Sequence, residues 1–172
     1  MIELNRLTTE EFRASEKIPI IIVLDNVRSQ HNIGSVFRTA DAFRLEGIYL
    51  CGITATPPHR EIHKTALGAT ETVTWRYFET TIKAVKQMAD DGYHIIAVEQ
   101  VEGGTLLQDY IPPEGKKLAL IFGNEVNGIE DEVLKLAHHC IEIPQFGTKH
   151  SLNISVAAGI VIWDIFFKSK KI

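Results

Sequence analysis

With 172 residues, 45% hydrophobic and 23% charged, the chain has the composition of an ordinary globular protein with one sizeable core. A net charge of −4 argues against a surface that grips duplex DNA by general basicity, although a local basic patch suffices for contact with a nucleic acid. The two cysteines, Cys51 and Cys140, share no CxxC spacing and sit in apolar runs, which argues against a disulfide framework or zinc ribbon and suits buried thiols in a reducing compartment.

Thr8 with Glu11 three positions later is a capping-box pattern and predicts a short helix over 8–17, ended by Pro19. Residues 1–17 then read as a helical extension and 18–172 as a single α/β domain. No basic segment followed by an apolar stretch and a small-residue cleavage site opens the chain, so a cytoplasmic protein is expected. The run 18–27 is apolar and β-branched up to Asp25, as in a strand covered on both faces. Ile33, Val36, Phe37 and Ala40 follow at helical spacing. Residues 47–53 read as the next strand, 54–69 as a loop with a short helical turn interrupted by two prolines, and 70–78 as an extended segment.

Ile82, Val85 and Met88 mark a helix over 80–91 closed by Gly92, and 94–101 is a further buried strand. Gly and Pro pairs make 102–116 a loop, and 117–123 is strand-like. Residues 129–139 begin acidic and end basic, as a helix dipole favours. The last strand is expected at 140–146 and a closing helix, apolar on nearly all sides, at 151–167. That helix is too short and carries too much polarity, in Asn153 and Asp164, for a membrane span. Strands alternating with helices predict a parallel sheet with helices on both faces.

Three polar segments fall where strands end and helices begin: 31–43, 122–129 and 143–159. In a parallel α/β sheet these ends share one rim, so Asn32, Arg38, Glu125, Ser151 and Asn153 are candidates for one cleft. Six positions separate Asn32 from Arg38, about 240° of net helical rotation, so the two diverge unless Asn32 lies in the preceding loop, the arrangement favoured here. Arg38, inside an apolar helix face, then needs an anionic or polar partner. Four of the five have a plainer use as well: Asn32 and Ser151 as helix caps, Arg38 as a solvated side chain, Glu125 as a carboxylate at free amides. Segment 122–129 lacks the Gly-Lys-Ser/Thr of a P-loop and the GxGxxG of a dinucleotide fold. His59 and His63 do not form HExxH and no third ligand accompanies them, so no metal is expected.

Together N-x5-R at 32–38, FGNEVNG at 122–128 and IP-x6-SLNISVA at 143–157 resemble the three motifs of the SpoU (TrmH-type) branch of the SPOUT RNA methyltransferases, over roughly residues 20–167. The resemblance implies a parallel α/β fold with a C-terminal deep trefoil knot, a homodimer, and S-adenosylmethionine as the methyl donor to a ribose 2′-hydroxyl of tRNA or rRNA. By position it gives catalytic roles to Asn32, Arg38, Glu125, Ser151 and Asn153. The cofactor would be held through Val98 or Glu99, Gly123, Ile143, Ser151 and Leu152. Because little chain precedes the first strand, RNA recognition is expected from loops and the dimer surface, with Arg60, His63, Lys64, Lys149 and His150 as phosphate contacts. The rival readings are a non-catalytic RNA-binding module on the same scaffold and a flavodoxin-like nucleotide-binding domain.

Overall fold

The computed structural model describes residues 7–149 and 151–169, so the expectation for His150 lies outside the described residues. Helix α1 (Thr9–Ala14) starts with the expected reciprocal cap between Thr8 and Glu11 but ends at Ser15, well short of Pro19. Pro19 instead lies within strand β1 (Ile18–Asp25), where the register against β2 (Leu45–Cys51) slips between Ile18 and Ile21. A residue without an amide hydrogen is tolerated at that irregularity because the ladder is already broken there.

Helix α2 (Gln30–Ala42) joins β1 to β2 and buries Ile33, Val36, Phe37 and Ala40, the four residues that the spacing picks out. The 54–69 stretch is more ordered than a loop, with α3 (Arg60–Ala66) followed by α4 (Ala69–Thr72). The helix α4 takes up the start of the expected extended segment and leaves strand β3 only Trp75–Phe78. Helix α5 (Thr81–Asp90) follows as expected, and strand β4 (Tyr93–Val98) ends three residues before the expected 101. The 102–116 loop hides a two-residue strand, β5 (Thr105–Leu106), and a single 3-10 turn at Leu107–Asp109.

Strand β6 (Lys117–Phe122) is central, whereas the helix expected over 129–139 shrinks to α6 (Asp131–Leu134). The sheet ends it: the His138 amide donates to the Ile95 carbonyl (2.8 Å) and the His138 ring accepts from the Ile95 amide (3.0 Å), drawing the chain into strand β7 (His139–Glu142). Helix α7 (Ile154–Ser169) closes the fold, starting three residues later than expected. No helix among the described residues is long and apolar enough to cross a membrane.

All strand pairs are parallel, in the order β3-β2-β1-β6-β4-β7-β5. One face packs against α2 and α7 through Ile22, Leu24, Phe37, Leu120, Val161 and Ile165, and the other against α5 through Val23, Val85, Met88 and Ile121. The sheet is therefore sandwiched, which explains its uninterrupted apolar strands. Strand β7 occupies the slot between β4 and the earlier β5, and among the described residues β5 pairs only with it. Helices α2 and α7 run side by side from the rim at the strands' carboxyl ends: Asn32 meets Asn153 there, and Phe43 meets Phe166 edge-on at the far end (5.1 Å between ring centroids).

Candidate active site

Three strands, β4, β6 and β7, deliver their carboxyl ends to one cavity of about 760 Å³. Its walls include Val98 and Glu99 after β4, the 123–128 turn after β6, Glu142 and Ile143 after β7, and Ser151 to Ile154 at the start of α7. Crevices beyond strand ends, where connections diverge to the two sides of a sheet, are the usual ligand positions of such folds.

The turn after β6 is held by its own backbone. Asn124 and Gly128 exchange amide and carbonyl bonds (3.0 and 2.9 Å), and the Asn124 side chain accepts from the amides of Val126 and Asn127 while donating to the Asn26 carbonyl (2.6 Å). The turn folds so closely that a Cβ on Gly123 would lie 2.3 Å from the Gly128 carbonyl carbon. At Gly128, which adopts φ +68°, a Cβ would meet the Glu99 carboxylate at 2.4 Å. That carboxylate accepts from the amides of Gln100 and Ile129, pinning β4 to the turn.

This clamp aims Glu125 at the start of α2. Its carboxylate accepts from the amides of Arg28 (3.1 Å) and Ser29 (3.3 Å) and from Asn32 Nδ2 (3.3 Å). Partial burial alone would raise the carboxyl, but these amide donors outweigh it and hold its pKa below the ordinary carboxylate value. Asn32 in turn accepts on Oδ1 from Asn153 Nδ2 (3.1 Å), and Asn153 Oδ1 accepts from the amide and hydroxyl of Ser155 (2.9 and 2.7 Å). The result is a directed chain, Ser155 to Asn153 to Asn32 to Glu125. An acceptor-only carboxylate at one end and a backbone N–H at the other fix which way both carboxamides face.

Three expectations are corrected here. Asn32 is not in the loop: Ser29 caps α2 through the Asn32 amide, and Asn32 sits inside the helix, 9% exposed. Likewise Asn153, not Ser151, caps α7, since its carbonyl receives the amides of Val156 and Ala157 and its side chain that of Ser155. With Asn32 helical, the rotation of about 240° to Arg38 stands. Arg38 is exposed on the outward face of α2, does not line the cavity, and has no hydrogen-bond or ion-pair partner among the described residues, contrary to the expectation of a buried guanidinium.

The remaining sequence candidates divide by place. Val98, Glu99, Gly123, Glu125, Ile143, Ser151, Leu152 and Asn153 all line the cavity. Arg60, His63 and Lys64 lie exposed on α3, outside it, and Lys149 is exposed without lining it. Lys64 pairs with Glu61 (2.7 Å), which also binds His31 (2.9 Å). Sequence reading assigned nothing to Ser29, Asn124 or Ser155. For Asn124 a signal existed, since Asn and Gly at 123–128 are the punctuation of a tight turn.

The fold and motifs have counterparts among known proteins. Residues 19–163 match the model of the SpoU rRNA Methylase family. The 23S rRNA (guanosine-2'-O-)-methyltransferase RlmB of Neisseria meningitidis is 28% identical over 144 residues, 84% of this chain and 56% of that protein. An AdoMet-bound rRNA methyltransferase from Sinorhizobium meliloti superposes with a TM-score of 0.79 at 28% identity, over 92% of this chain and 59% of that one. The A. aeolicus TrmH/SpoU tRNA modifying enzyme, at 24% identity, shares the fold with a TM-score of 0.80 over 93% of this chain and 79% of that one. The chain spans about three fifths of the length of the curated relatives it matches.

Proposed function

The chain belongs to the SpoU rRNA methylase family, and on that premise we propose that it transfers a methyl group from S-adenosylmethionine to a ribose 2′-hydroxyl of tRNA or rRNA. The observation that carries this reading is the Ser155–Asn153–Asn32–Glu125 chain at the mouth of the cavity. Four polar side chains from three distant segments are locked in one orientation beside a void, as a site for aligning a weak nucleophile requires.

The cavity fits the cofactor in size and in chemistry. Its volume of about 760 Å³ suits a small-molecule ligand, and Glu99, Glu125, Asp131 and Glu142 on its walls favour a cation. Main-chain groups at Val98 or Glu99, Gly123, Ile143 and Leu152, with the Ser151 hydroxyl, would hold it. Bound there, S-adenosylmethionine supplies a methyl already activated by a positive sulfur, so no metal is required of the protein.

The chain's own part is to place the ribose. Glu125 accepts three donors, which leaves room on an ionised carboxylate for a fourth, the 2′-hydroxyl. Asn32 and Asn153 hold Glu125 and the sugar edge in register. A guanidinium does not deprotonate in proteins, so Arg38 acts electrostatically, on the neighbouring phosphate and the developing alkoxide. It points away from its own cavity, and on this reading it serves the cavity of a second protomer.

Helix α7 supports such a homodimer. It buries Ile154, Ala158, Val161, Ile162 and Ile165 in the core, yet Val156, Ile160, Trp163 and Phe167 form an exposed apolar stripe on the opposite side, with Trp163 56% exposed. A monomer has no use for a second apolar face on one helix. The same tail would complete a trefoil knot, a reading supported by β7 entering between strands that precede it in sequence and by α7 packing across both α2 and Leu107–Asp109. Arg60, His63, Lys64 and Lys149 would meet phosphates, and the enzyme, one domain over 18–172, would work in the cytoplasm.

Tritiated S-adenosylmethionine offered with total RNA from cells lacking the gene tests the proposal: alkali-resistant label in RNA is expected. Its absence, or calorimetric binding of FMN or NAD in place of S-adenosylmethionine, would sink it. Substituting Trp163→Glu should halve the mass seen by light scattering and abolish transfer together.

A further inference from the structure

We infer that Phe146 is the surface on which the base of the target nucleotide stacks, an inference that rests on the methyl-transfer reading above. Phe146 lies in the segment joining β7 to α7, between Gln145 and Ser151, both of which line the cavity. Its side chain is 96% exposed, more than any other large apolar residue among those described. Among the described residues no side chain covers it. A lone exposed apolar side chain is ordinary on a protein surface, and what sets Phe146 apart is its place: the most exposed ring of the chain's described residues sits in the segment between two residues that line the cavity.

What arrives there follows from the cavity's chemistry. Among the described lining residues Phe122 is the one aromatic, and it is 2% exposed, sealed in the core. The other exposed apolar side chains of the lining, Val126 and Leu152, are aliphatic and offer no flat face. A ribose seated against Asn32, Glu125 and Asn153 carries a planar base that must leave this polar cluster toward the rim. Proteins that act on single RNA nucleotides splay the base out and rest it on an aromatic ring, since every base has a π-face. Phe146 flanks the cavity without lining it, so it stands where a macromolecular substrate enters rather than where a cofactor is enclosed. It lies in the segment before α7, not on the helix that carries the stripe of Val156, Ile160, Trp163 and Phe167. Stacking of this kind positions a base without choosing its identity.

The test compares F146A, F146L and F146W with the wild-type chain, using tRNA and rRNA from cells lacking the gene. F146A and F146L should raise the KM for RNA by roughly 5- to 100-fold, the span of a lost base–aromatic stack, with kcat little changed and the Kd for S-adenosylmethionine unaltered. F146W should restore KM, and the fluorescence of its added indole should be quenched by RNA but not by S-adenosylmethionine. An unchanged KM in F146A overturns the inference, as does an F146L variant equal to wild type, which would show apolar contact without stacking. A weakened Kd for S-adenosylmethionine reassigns the ring to the cofactor's adenine, and a halved mass in solution reassigns it to the partner protomer; either overturns it. Should the wild-type chain transfer no methyl at all, the underlying reading falls and takes this one with it, whereas a methylating wild type beside an unaffected F146A removes this inference alone.

Discussion

The two rims of the sheet use polar residues in opposite ways. At the strands' carboxyl ends, directed hydrogen bonds join Asn32 to Glu125 and Asn153, which line an open cavity. At the amino ends, His94 stacks on His138 (4.6 Å between centroids) and tilts against His139 (5.2 Å), while Tyr110 meets His139 edge-on (5.4 Å). There the rings fill space, and His94 Nε2 and the Tyr110 hydroxyl are buried without partners among the described residues. A cluster of histidines is by itself packing. A site is recognised where each polar atom is oriented by the next and room is left for a ligand.

The contrast breaks most visibly at Asn32. Replacing Asn32→Ala removes both of its bonds and is expected to cut methyl transfer about 10²- to 10³-fold, the cost of one preorganised polar group, while circular dichroism shows an intact fold. Full activity in N32A would reduce the chain to a helix cap and erase the difference between the rims. Next in size, Gly123→Ala drives a Cβ into the Gly128 backbone, so the turn that aims Glu125 must open. A loss of about 3 kcal/mol, or about 10 °C in Tm, is expected, with cofactor binding weakened in calorimetry.

Helix α7 spans both rims, and its far end sharpens the comparison. Lys168 Nζ donates to the Leu107 carbonyl (2.6 Å) and pairs with Asp164 (2.7 Å). Lys168→Met should cost about 1–2 kcal/mol in urea unfolding, after allowing for its partial exposure, and leave kcat unchanged. The smallest effect is a pH dependence. Burial, then His138, His139 and Lys116, lowers the His94 pKa below 6.5. The unfolded chain therefore takes up a proton that the folded chain resists, and stability falls as pH drops from about 6.5 toward the folded value. Thermal melts between pH 7.5 and 5.5 should show this slope in the wild-type chain and a flatter one in His94→Phe, with transfer at pH 8 equal in both.

Much of the architecture was legible because buried parallel strands are written as unbroken apolar runs: Ile20 to Leu24 and Leu118 to Phe122 admit no other role. What escaped was decided by distant partners. Thr105–Leu106 became a strand only because Ile141 and Glu142 lie alongside it, and the helix after Asp131 ended because the sheet claimed His138. At the site the motif residues stood out, but their local setting did not. Ser29 and Asn32 are both good cap residues, as are Ser151 and Asn153, and local preference cannot choose between them. The choice is made across the cleft, where Glu125 takes the amides of Arg28 and Ser29 and Asn153 reaches Asn32. Arg38 faces outward because position 38 falls off the stripe of Ile33, Val36, Phe37 and Ala40 that α2 buries, and with Asn32 also helical the two side chains diverge.

The position of β7 sets an order of assembly. A ribosome releases Thr105 and Leu106 well before Ile141 and Glu142, and until the latter emerge the former have no neighbour to pair with. The nascent sheet therefore waits with a vacant lane beside β4, its edge amides open to mispairing, and the margin is sealed last. Premature termination anywhere before Ile141 forfeits more than the missing tail: it strands a segment already synthesised and leaves the cavity without the wall that Glu142 and Ile143 provide.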